Sequence, residues 1–225
     1  MKTTIRVSSV AAFDDAFGHV GLRGGPRTGP DKRSQDDEEW YVVRRFLRTG
    51  LRSGLFQLPL SIAKGSPPEP DFILHWDDGG SAAIEITEAT HPDDQREMTR
   101  FEQSGETVAL LGTFGGRFAD GASQPGHAWA SDIIEAIERK AGKTICAQHS
   151  RVQRHLVIYP NSNASFLLFD DEREAFSFLD GAITAKKDDL LKGANGCFVH
   201  VLAATYLYFD VLGQGRLLKR ESPTT

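Results

Sequence analysis

Two carboxylates, Asp71 and Glu85, stand where a short-range fold would bring them together. The segment Asp71 to Trp76 alternates strongly between apolar and other residues, Asp77-Asp78-Gly79-Gly80 follows, and Ser81 to Thr87 alternates again. Two alternating runs joined by Asp and Gly residues read as a β-hairpin. Phe72, Leu74 and Trp76 point one way on the first strand, and Ile84 and Ile86 point one way on the second. Opposed residues of an antiparallel pair lie on one face, so the apolar sets coincide if Leu74 faces Ile84 and Phe72 faces Ile86. Asp77 then faces Ser81 across a three-residue loop, Asp78-Gly79-Gly80. In that register Asp71 lies opposite Thr87 and diagonal to Glu85 on the other face, with Cβ atoms roughly 7 Å apart, within reach of one shared hard cation such as Mg²⁺. The same residues also fit a plain reading, in which Asp71 follows Pro70 at a strand start and Glu85 sits on a solvated face.

The elements around the hairpin follow from capping and periodicity. Residues 1–34 contain a run from Gly21 to Pro30 that is dense in Gly, Pro and Arg, and are expected to be a flexible arm. Residues 35–225 are expected to be one domain. Ser34, an acidic first turn (Asp36, Asp37, Glu38) and the rhythm Trp40, Val43, Leu47, Leu51 predict a capped amphipathic helix ending near Gly54. A Pro-rich linker, Ser66 to Pro70, leads into the hairpin. Residues 105–128 are Gly-rich without a sustained period and are expected to form a long insertion loop near the mouth of a site. Ser131 is expected to cap a helix carrying Ile133, Ile134, Ala136, Ile137 and Ala141. His155 to Tyr159 reads as a buried strand, Asp171 to Leu179 as a helix extending toward Leu191, and Cys197–Leu202 and Tyr206–Val211 as strands, with a third after Gly215. That order suits an α/β fold, a mixed sheet with helices packed on it.

Composition narrows the function classes. With 225 residues and 40% hydrophobic content the chain can bury a full core. No apolar run of about 18 residues exists to span a bilayer, and the N-terminus lacks a signal-like apolar core, so a cytoplasmic location is expected. Cys146 and Cys197 are read as reduced core thiols. A net charge of -5 argues against nonspecific coating of nucleic acid. A local basic groove stays open, with Arg44, Arg45 and Arg48 on the first helix and Arg151 and Arg154 before a later strand as candidates; the other reading is a solvated face.

Pro70-Asp71, the short hairpin and Glu85-Ile86-Thr87, with an acidic helix before them and a helix and a strand after, resemble the PD-(D/E)xK nuclease superfamily, the restriction-endonuclease-like fold. The resemblance covers about residues 36–160. It implies that Asp71 and Glu85 hold Mg²⁺, or Mn²⁺, for hydrolysis of phosphodiester bonds. Thr87 stands where the superfamily's lysine would be, and a hydroxyl cannot supply that positive charge. In some branches the lysine has moved to a neighbouring helix, which points to Lys140, three residues beyond Ile137; an ordinary snorkelling lysine is the alternative. Glu39 on the first helix is a candidate third ligand by the same resemblance, or else a surface acid favoured by the helix dipole. Gln95 is a further candidate for reaching the site.

Other chemistries are poorly matched. Ala141-Gly142-Lys143-Thr144 resembles the end of a phosphate loop but lacks the upstream glycine, with Ile137 in its place. There is no Gly-x-Ser-x-Gly elbow, and the seven histidines lack metal-ligand spacing. The expected function is a metal-dependent nuclease acting on nucleic acid, by resemblance DNA, with a homodimer as one arrangement. The alternatives are a catalytically inactive nuclease-fold module and an unrelated protein-interaction domain.

Overall fold

The computed structural model describes residues 3–21, 34–90, 96, 100, 125–141, 153–159, 172–186, 198–202, 206–210 and 216–219. Strand β1 (Thr4–Val7) and the one-turn helix α1 (Phe13–Phe17) precede the long helix α2 (Gln35–Arg52). Then come β2 (Leu60–Lys64), β3 (Phe72–Trp76), β4 (Ser81–Glu88), α3 (Pro125–Ala141), β5 (Gln153–Tyr159) and α4 (Glu172–Ala185). Three strands close the chain: β6 (Phe198–Leu202), β7 (Tyr206–Asp210) and β8 (Arg216–Lys219). The strands form one mixed sheet in chain order. Pairing is antiparallel except for β4–β5 and β5–β6, which are parallel. These are the two joins that run through α3 and α4, as a parallel neighbour requires a crossover.

Helices cover both faces of the sheet. On one face, α2 presents Val42, Val43, Phe46 and Leu47, all fully buried, to Leu60, Ile62, Phe72, Leu74, Ile84 and Val157. On the other, Trp129, Ile133 and Ile137 of α3 and Leu179 and Ile183 of α4 pack with Leu156, Ile158, Val199 and Val201. The alternation Leu156, Val157, Ile158 therefore feeds both cores, as expected for a strand buried on both sides. Each such aliphatic side chain contributes about 2 kcal/mol by leaving water.

Helix α2 begins as its sequence predicts. Ser34 Oγ accepts from the Asp37 N–H at 3.1 Å, and the Asp37 carboxylate accepts from the Ser34 N–H at 2.9 Å, forming a capping box. The Ser34 contacts hold the Asp37 carboxyl below its usual range.

Several expectations are corrected. Residues 3–21 are not an arm: β1 pairs with β2, and Ile5, Val7, Phe13 and Phe17 are buried. Helix α3 starts at Pro125, six residues before Ser131, because Trp129 and Ala130 extend its buried face by another turn. This turn takes up the end of the expected 105–128 loop, whose remainder lies outside the described residues. Strand β2, unassigned from sequence, is the inner partner of both β1 and β3.

The hairpin has the expected faces but a different register. Phe72 pairs with Ile84, Leu74 with Ala82 and His75 with Ser81, a shift of two residues from the expected pairing. The loop is Asp77-Asp78-Gly79, closed by Trp76 N–H to Gly80 O at 2.9 Å, with Gly79 at φ +89. Placing glycine in the left-handed position of the loop sets where the ladder starts. A shift of two preserves the alternation, so the apolar match could not exclude it.

Candidate functional site

Asp71 occupies the entry to β3, between the buried Pro70 and Phe72. Phe72↔Ile84 is the last pair of the β3–β4 ladder, and one further step brings Asp71 level with Glu85 rather than diagonal to it. The Asp71 backbone carbonyl accepts from the Gly65 N–H at 2.9 Å. Its carboxylate Oδ2 accepts from the Ile86 N–H at 2.7 Å. The side chain thus takes over as ladder acceptor where the strand backbone turns away, which fixes the carboxylate at the rim of the sheet.

Glu85 alternates with the core residues Ile84 and Ile86 and therefore lies on the α3 face. Lys140, beside Ile137 on the last turn of α3, places Nζ 3.5 Å from Glu85 Oε2. The two side chains keep 21% and 15% of their surface, so the pair is neither sealed nor freely solvated. Arg139 donates to the Glu88 backbone carbonyl at 2.9 Å and ties the end of α3 to the end of β4. Thr87 is buried on this face, and a long cationic side chain there would meet the α3 layer.

Glu39 lies on the other face. It is buried on α2, accepts from Gln35 Nε2 at 2.7 Å and forms an ion pair with Lys64 at the end of β2. Lys64 Nζ is also 3.5 Å from Asp36 Oδ1 and 4.6 Å from the centre of the Phe72 ring. Glu39, Lys64 and Asp71 line a cavity of about 520 Å³ together with Asp36, Trp40 and Glu69. The fold thus brings Lys140 to Glu85, anchors the Asp71 carboxylate on the Ile86 N–H of β4, and places Glu39 and Lys64 in the lining of the cavity that Asp71 also lines. Sequence reasoning missed Lys64. The available signal was the alternation of Leu60 and Ile62 just before the Pro-rich linker, which continues to Lys64 on the same face.

Two of the arginines expected as a possible groove, Arg44 and Arg48, hold the N-terminal segment down. Arg44 is buried and bonds to Asp14 Oδ1 at 3.0 Å and to the Val20 carbonyl at 3.1 Å; Arg48 also pairs with Asp14. Burial lowers the Arg44 pKa. Arg45 lies over the Tyr41 ring. Arg154 is half-buried on β5. Gln95, Cys146, Arg151 and Cys197 lie outside the described residues.

A second polar feature is buried in the α2-side core. His155 Nδ1 and His200 Nε2, on adjacent strands, are 2.8 Å apart, with both rings packed near Phe46. Burial pushes the His155 pKa down to about 4, and burial together with His155 pushes His200 well down. One ring must donate and the other accept, which requires both to be neutral or to share one proton.

Among the described residues, no three of His, Cys, Asp or Glu are gathered closely enough to enclose an ion. Asp71 and Glu85 present carboxylate oxygens only, the hard donors that suit Mg²⁺, which commonly takes one or two carboxylates and keeps its waters. No described helix is long and apolar enough to cross a membrane. Compared with known proteins, the chain matches no family model, no curated protein and no solved structure.

Proposed function

We propose that the chain is a divalent-metal-dependent nuclease of the PD-(D/E)xK type, with a restriction-endonuclease-like core formed by α2, β2, β3, β4, α3 and β5. The observation that carries this reading is the β3–β4 rim, where the amine of Lys140 lies 3.5 Å from the Glu85 carboxylate and the register, carried one step past Phe72↔Ile84, sets Asp71 level with Glu85. Support also comes from the element order and from the parallel placement of β5 beside β4.

In this reading Asp71 and Glu85 hold Mg²⁺ or Mn²⁺. The bound ion supplies Lewis acidity toward the phosphate and a water of lowered pKa. The Ile86 N–H fixes one oxygen of Asp71 and leaves the other to turn outward. Lys140 supplies the positive charge that Thr87 cannot, reaching Glu85 from the helix instead of from the strand, and steadies charge developing on the scissile phosphate. The substrate is nucleic acid, with DNA favoured by the superfamily's usual chemistry.

A catalytically inactive module of the same fold is the second reading, favoured by the burial of Thr87 at the motif's lysine position. Incubation of supercoiled plasmid, single-stranded DNA and RNA with Mg²⁺ or Mn²⁺, beside a chelator control, separates the two. Cleavage that needs the ion and disappears in Asp71→Asn and Glu85→Gln supports the enzyme. Binding to nucleic acid without cleavage supports the silent module.

A further inference from the structure

We infer that Lys64 is the resident counter-ion of the proposed metal site: its ammonium neutralises Glu39 inside the cavity that Asp71 also lines, and a divalent cation bound at Asp71 competes with it. This rests on the nuclease reading of Asp71 and Glu85. Among the described residues, the charged ones lining the cavity are four carboxylates, Asp36, Glu39, Glu69 and Asp71, and one ammonium, Lys64. Such an excess of negative charge in a recess favours a cation, and the chain provides one of its own.

The placement of Lys64 lets it both neutralise and yield. Its backbone is fixed in the ladder opposite Phe72, and its ammonium lies 4.6 Å from the centre of the Phe72 ring. The backbone is held, and the flexible side chain can carry the ammonium from one partner to another. The ammonium has two carboxylate neighbours of different character: Glu39, whose side chain is 11% exposed, and Asp36, whose side chain is 73% exposed and lies 3.5 Å away. A second cation entering beside Asp71 repels the ammonium, and Asp36 at the cavity rim receives it, leaving the Glu39 carboxylate to face the ion. Lys64 is therefore a positioning residue that sets metal affinity, acting through Glu39.

The test is Mn²⁺ binding to the metal-free full chain, read from the free-ion electron paramagnetic resonance signal. Lys64→Met should bind Mn²⁺ about tenfold more tightly than wild type, since a repelling charge a few ångströms away has gone. Lys64→Arg should stay near wild type. Glu39→Gln added to Lys64→Met should remove the gain, whereas a purely structural Lys64 would leave affinity unchanged in all three. If Asp71→Asn and Glu85→Gln weaken binding but Lys64→Met does not alter it, the counter-ion inference fails and the site reading stands. If wild type binds no Mn²⁺, both fail. Should Lys64→Met not fold, amine acylation of the wild type mapped by mass spectrometry decides: the rate at Lys64 must rise when Mn²⁺ is added, and an unchanged rate overturns the inference.

Discussion

Among the described residues, each face of the sheet carries one lysine–glutamate pair near the β3 entry, and the two differ in setting. Lys64–Glu39 on the α2 face is nearly enclosed, with a second carboxylate and an aromatic ring around the ammonium. Lys140–Glu85 on the α3 face is looser, at 3.5 Å, with both side chains keeping contact with solvent. A pair of the first kind loses much when one partner is removed, because the other charge is left in a poorly solvated place. The second pair is almost as buried, with side chains 21% and 15% exposed, but has fewer charged groups around its ammonium. What sets the pairs apart is their setting: Lys64–Glu39 lines the cavity that Asp71 also lines, whereas Lys140–Glu85 joins the end of α3 to β4.

The largest expected effect tests the α3-face pair. Glu85→Gln should lower Mg²⁺-dependent cleavage by about a hundredfold or more while moving the urea midpoint little. Equal cleavage by wild type and variant would remove Glu85 from the chemistry. Asp71→Asn is the proper companion, since Asp71→Ala would also leave the buried Ile86 N–H without its acceptor and confuse the two effects.

Stability separates the pairs next. Lys64→Met should cost more in urea unfolding than Lys140→Met, by about 1 kcal/mol, because two carboxylates lose their counter-charge at Lys64 and one at Lys140. Lys140→Met should instead slow turnover at saturating metal with Mn²⁺ affinity unchanged. Similar losses of stability for the two variants would break the comparison.

Acid should weaken the α2-side core selectively. His155 and His200 have folded pKa values below the unfolded value near 6.5, so the folded state resists protons that the unfolded chain accepts. Their contribution is complete above about pH 6.5 and is lost as pH falls, the His155 share as pH approaches about 4. Urea midpoints between pH 8 and pH 5 should show this decline, and His155→Leu combined with His200→Leu should flatten it. An unchanged slope in the double variant would assign the acid sensitivity to other groups.

The smallest effect concerns the register that sets Asp71 level with Glu85. Gly79→Ala meets no neighbouring atom but forces φ +89 on an alanine, and should cost about 1 kcal/mol. No change in the unfolding midpoint would mean that the loop does not hold the register.

Local physics determined much of this protein from sequence alone. The Ser34 capping box and the 3.6-residue apolar rhythm specify α2, the Asp-Gly loop between alternating runs specifies the hairpin, and the apolar block from Leu156 to Ile158 specifies an interior strand. The face of Glu85 was legible too, because a strand alternates with a period of two. The register of the hairpin was not, since every even shift preserves the faces and only the seating of Gly79 in the turn selects among them. The tertiary structure also decided that residues 4–17 join the sheet and its core, through Arg44 and Arg48 meeting Asp14 and through β1 meeting β2. It decided that Lys64, on a strand too short to announce itself, meets Glu39 from 25 residues away. It likewise placed Lys140 beside Glu85, which lies 55 residues earlier in the chain. Pairings over such separations depend on how helices settle on a sheet, and the spacing of residues along one chain segment carries no record of that.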